Sequence, residues 1–97
     1  MDEVEVEETP SENISKVKLY PNPAFDQVNL EIASLNEQAT TFMVFDVNGQ
    51  MVQQFTKQIE AGTQTQVLSV DQLNAGVYYV NIIQGEQRIV KKFIVIR

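Results

Sequence analysis

The stretch Asp26-Gln27-Val28-Asn29-Leu30-Glu31-Ile32 alternates apolar and polar residues without a break. Successive side chains in an extended strand point to opposite faces, so Val28, Leu30 and Ile32 share one face and Asn29 and Glu31 the other. The segment therefore predicts a strand with one buried and one wet surface. Outward from it, period-two segments recur with polar or glycine-containing breaks between them, and no helical stripe competes. Thr40 to Phe45 runs into Asp46-Val47-Asn48-Gly49, where Asn-Gly supplies the backbone freedom for a tight hairpin into Met51–Phe55. Gln84-Gly85-Glu86 separates Val77–Ile83 from Arg88–Ile96, which reads as a second hairpin. Strands are expected at 16–20, 27–32, 40–45, 51–56, 65–68, 77–83 and 89–96. Seven short strands at this spacing predict an all-β fold, an immunoglobulin-like β-sandwich of about seven antiparallel strands, with an open barrel as the rival.

Bulk properties narrow the chemistry. A chain of 97 residues with 43% hydrophobic content builds one modest core, so residues 16–97 are read as a single domain. With no His and no Cys, the chain lacks the commonest metal ligands, a thiol nucleophile and any disulfide. Neither a nucleophile elbow, a phosphate-binding glycine loop nor a carboxylate pair stands out, and the expectation is a non-enzyme without cofactor or metal. Nor does any apolar run approach the about 20 residues that span a bilayer. The acidic opening Met1-Asp2-Glu3-Val4-Glu5 is unlike a signal peptide, so an exported protein would carry its leader upstream.

The net charge of −6 is confined to one place. Residues 1–15 hold six acids and no base, whereas residues 16–97 hold seven of each. The leading segment has few large apolar groups and contains Pro10-Ser11, the composition of a disordered acidic linker. No basic surface for nucleic acid is present.

Four short blocks invite a closer reading. In Leu19-Tyr20-Pro21-Asn22-Pro23, each proline removes a donor and extends the residue before it, which suits a rigid exit from an edge strand. Asp46 precedes a turn, as does Asp71, and each is expected to bond its own backbone. Leu73-Asn74-Ala75-Gly76-Val77-Tyr78 has the form of a tyrosine corner, with Tyr78 inward and Tyr79 outward. Lys91-Lys92 places one charge on each face of an otherwise apolar strand, a pattern that protects an edge from aggregation or offers a partner a handle.

Taken in order, Tyr20-Pro21-Asn22-Pro23, Phe45-Asp46-Val47-Asn48-Gly49, Leu73-x-x-Gly76-x-Tyr78 and Lys91-Lys92 before an apolar end resemble the type A C-terminal sorting domain of the type IX (Por) secretion system of Bacteroidota. The similarity covers about residues 16–97. It implies a domain that directs an N-terminal cargo through the periplasm and an outer-membrane translocon to the cell surface or the medium. It also implies a sortase-like peptidase that cuts in the preceding linker. The family elements carried over are Pro21, Asn22, Pro23, Asp46, Gly49, Gly76, Tyr78, Lys91 and Lys92, each as a fold determinant or a recognition contact. At position 50 the chain has Gln50 where the family often has a basic residue. An exposed edge strand would also permit a homodimer. The alternative is a fibronectin-type or carbohydrate-associated accessory module of a secreted enzyme, although with no Trp the chain is poorly supplied with sugar-stacking rings.

Overall fold

A computed structural model describes residues 13–97, which form seven antiparallel strands and no helix. In chain order these are β1 (Ile14–Tyr20), β2 (Gln27–Ser34), β3 (Gln38–Asp46), β4 (Met51–Ile59), β5 (Gly62–Ser69), β6 (Gly76–Gln84) and β7 (Gln87–Val95). They lie in two sheets, one ordered β1-β2-β5 and the other β4-β3-β6-β7. The fold is the expected immunoglobulin-like sandwich. Non-consecutive neighbours, β2 with β5 and β3 with β6, give the Greek-key connections of that architecture. The sheets stay open rather than closing into a barrel, and Ala24 with Val95 forms the isolated backbone bridge among the described residues.

The alternating segment behaves as its pattern requires. Val28, Leu30 and Ile32 are fully buried, and Asn29 and Glu31 face outward beside β5, with Leu30 opposite Gln66 and Ile32 opposite Gln64. From the second sheet, Phe42, Val44, Val80, Ile82 and Phe93 close the core. Its aromatic rings stack in pairs: Phe42 on Phe55 with centroids 5.0 Å apart, and Tyr78 on Phe93 at 5.7 Å. Both expected hairpins form, β3 pairing with β4 and β6 with β7.

Several strands run longer than their apolar residues announce. β5 extends to Gly62 because β2 continues to Ser34 and pairs with it there, so backbone bonds reach beyond the side-chain pattern. At the start of the domain, β1 begins at Ile14 rather than Lys16. The reason is a buried amide, since Asn13 is enclosed between the sheets. Its Nδ2 donates to Gln84 Oε1 at 2.7 Å and Ser34 Oγ at 3.0 Å, while its Oδ1 accepts from the Asn36 N–H at 2.8 Å. Gln87 completes the clamp, Oε1 accepting from the Ile14 N–H at 2.9 Å and Nε2 donating to the Ile14 carbonyl at 2.8 Å. The acidic linker expected over residues 1–15 lies outside the described residues except for its last three, which fold.

Candidate functional site

The first block does more than end a strand. Tyr20 closes β1, and both Xaa-Pro peptides that follow, Tyr20-Pro21 and Asn22-Pro23, are cis. The intervening Asn22 reaches β7, where Nδ2 donates to the Lys92 carbonyl at 3.2 Å and Oδ1 accepts from the Ile94 N–H at 3.0 Å. Two residues on, the Ala24 N–H donates to the Ile94 carbonyl at 2.7 Å and its carbonyl accepts from the Ile96 N–H at 2.9 Å. An amide side chain thus continues a pattern that backbone groups begin, and residues 22–24 lie as a strap along the open edge of β7. Prolines suit the flanks because neither has an N–H that would need a partner there.

The second block is a self-contained turn. Asp46 Oδ1 accepts from the N–H groups of Asn48 and Gln50, both at 2.9 Å, and the Gly49 N–H returns to the Asp46 carbonyl at 3.0 Å. Gly49 has φ +82°, a region that strains a residue with a Cβ. Gln50, the position that departs from the family pattern, contributes its backbone to this turn. Asp71 differs from expectation: its Oδ1 accepts from the Ser69 hydroxyl at 2.8 Å, a side-chain partner rather than its own backbone.

In the third block the Tyr78 ring is buried and its hydroxyl donates to the Asn74 carbonyl at 2.7 Å, four residues upstream. This is the tyrosine corner. Tyr79 points the other way and is 38% exposed. Beside this corner, the guanidinium of Arg97 binds loop carbonyls from two places in the chain. It donates to Phe25, to Val70 at 2.6 Å and to Leu73 at 2.5 Å, with its charge 5.7 Å from the Phe25 ring centroid. Sequence reasoning passed over Arg97. The available signal was a lone guanidinium following an apolar strand, a group with five donors suited to several carbonyls at once.

Lys91 and Lys92 sit on the edge strand β7, on opposite faces. Lys91 pairs across from the buried Val80 and is half-buried along the open side of the sandwich; Lys92 is opposite Tyr79 on the outer face. The register brings the first three blocks to one end of the molecule, with Lys91 and Lys92 at the middle of the β6–β7 ladder. Asp46, Tyr78 and Phe93 form one cross-strand row, and Val95 faces Gly76 on one side and Ala24 on the other. Asn13, where the preceding chain enters, lies at the other end of β6, against Gln84. No group of three or more acidic side chains among the described residues is arranged to hold a metal ion.

The family model described as the secretion system C-terminal sorting domain matches residues 18–96, nearly all of the folded part. The chain belongs to this family. No curated protein matches the sequence. Among solved structures, one similar chain is that of dimeric latent PorU from Porphyromonas gingivalis, with TM-score 0.69 and 15% identity. The match covers 82% of this chain and 9% of that one, so the likeness is of fold and concerns a small part of a much longer protein. As a type IX sorting domain, this chain is a sorting signal whose interactions are with the secretion machinery, and the protein bearing it is secreted or displayed at the cell surface.

Proposed function

We propose that the sandwich carries an N-terminal cargo from the periplasm through the outer-membrane type IX translocon. A sortase-like peptidase then cuts in the acidic linker, and the cargo is released or joined to the surface. The observation that carries this reading is the gathering of the first three sequence blocks at one end, with the lysine pair on the adjoining edge strand, while the chain enters at Asn13 at the other end. A cargo attached through the linker leaves the motif-bearing end uncovered. Within those blocks Asn22, Asp46, Gly49 and Tyr78 act chiefly by shaping that end, since their polar groups are spent on local backbone. Lys92 presents its charge outward and is the contact residue of the set. Pro21, Pro23, Gly76 and Lys91 are assigned supporting roles in the same end and edge.

The test is export of a fluorescent cargo placed behind a signal peptide and ahead of residues 1–97, in a type IX-competent bacterium. The intact chain should export the cargo. Truncation before Gln87 removes β7 and should leave folded cargo in the periplasm; undiminished export of the truncated fusion would overturn the reading.

A further inference from the structure

The two outer faces of the sandwich differ in kind. On the three-stranded sheet the outward rows are mostly polar: Lys18, Glu31 and Thr65 carry both signs, and the exposed Tyr20 and Val67 stand on either side of Asn29. On the four-stranded sheet one row runs Met51, Phe45, Tyr79, Lys92. Val90 and Ile94 stand outward on the same side of β7 and are 51% and 38% exposed. A wet face of an antiparallel sheet is ordinarily polar, so an apolar outer face asks for a partner.

Two further observations restrict that partner. First, the end of β7 is closed to backbone pairing, because Asn22 and Ala24 take the Lys92 carbonyl, both backbone groups of Ile94 and the Ile96 N–H. Arg88, Val90 and the Lys92 N–H keep theirs on that edge, which confines any added strand to that short stretch. Second, the outward positions of the four paired strands include two cations, Arg88 and Lys92, and no carboxylate.

We propose that this outer face, centred on Phe45, Tyr79, Val90 and Lys92, docks an export-machinery protein that presents an apolar patch bordered by carboxylates. The inference rests on the sorting reading and deepens it by naming the surface and the chemistry of its partner. Charge decides against the other occupants. A second copy packed face to face would bring four cations together with no anion between them. An anionic lipid surface would find only two cations on one strand, too few to hold a folded domain at the headgroups. A protein patch supplies both terms: apolar area for affinity and carboxylates for register.

The experiment uses the same cargo fusion of the full chain. Lys92→Glu and Tyr79→Ser should each lower export about tenfold, the scale of a central interface contact, whereas Val67→Ser on the opposite sheet should leave it unchanged. Thermal melting of each purified chain shows that the loss is not unfolding; if Tyr79→Ser melts early, Lys92→Glu decides. A photo-crosslinking residue at Val90 should join a component of the machinery identified by mass, and the same probe at Val67 should not. Export of both face variants at the parent level, alongside an exporting parent, overturns the docking surface. Failure of the parent itself to export overturns the sorting reading instead. A dimer of the purified chain that Lys92→Glu disrupts, binding to phosphatidylglycerol vesicles, or protection of Tyr79 that disappears on deleting residues 1–12 would each assign the face to another occupant and overturn the proposal.

Discussion

Asn22 holds the edge of the last strand through its side chain, donating to the Lys92 carbonyl and accepting from the Ile94 N–H. A side-chain amide has the same donor and acceptor as a peptide group, so one residue can imitate a paired strand for the length of one bridge. An open edge is a template for pairing with other chains, and here the template is filled by a residue seventy or more positions away in sequence.

Asn22→Ala removes two exposed hydrogen bonds and should cost about 1 kcal/mol, with the fold retained. Its sharper consequence is at the edge, where Lys92 and Ile94 regain free backbone groups. Sedimentation velocity should show concentration-dependent self-association of the variant under conditions where the parent is monomeric. A variant that stays monomeric would show that the strap does not guard the edge.

Arg97 ties the loop at Phe25 to the turn at Val70–Leu73. Arg97→Ala should lower stability in urea unfolding by about 1–2 kcal/mol, less than three buried charge-assisted bonds would give because the group is partly in water. Arg97→Lys should recover little of it, because an ammonium cannot reach divergent carbonyls from one planar fork. Equal stability of the Lys variant and the parent would show that charge alone suffices.

Asn13 is the first residue the sandwich grips, and its amide is shared among Ser34, Asn36 and Gln84. Asn13→Ala should leave buried acceptors and donors unpaired at a cost of about 2–3 kcal/mol. Hydrogen exchange should quicken first in β1, ahead of β3 and β6. Asn13→Asp should fare no better, since a carboxylate cannot donate to Gln84 Oε1.

Tyr78→Phe isolates the corner. The ring still packs on Phe93, so the loss is confined to the hydroxyl bond to Asn74 and should be about 1 kcal/mol by urea unfolding. A larger loss accompanied by altered near-UV dichroism would mean that the hydroxyl also positions the ring.

The alternation of Val28, Leu30 and Ile32, the Asn48-Gly49 turn and the two apolar hairpin segments determined the fold class and the strand count. Side-chain period and turn chemistry are local properties, legible wherever the chain is read. The inward Tyr78 and outward Tyr79 were legible for the same reason. Asn13 and Arg97 were not, because each acts on groups 21 to 71 positions distant that only the packed sheets bring within bonding reach. The role of the Pro21-Asn22-Pro23 segment was half legible: proline announces the end of a strand by itself, but that Asn22 lands on the edge of β7 depends on how two sheets lie against each other. The cationic, apolar outer face also belongs to the tertiary structure. Phe45, Tyr79 and Lys92 come from three strands, and only the register of the ladder sets them in one row.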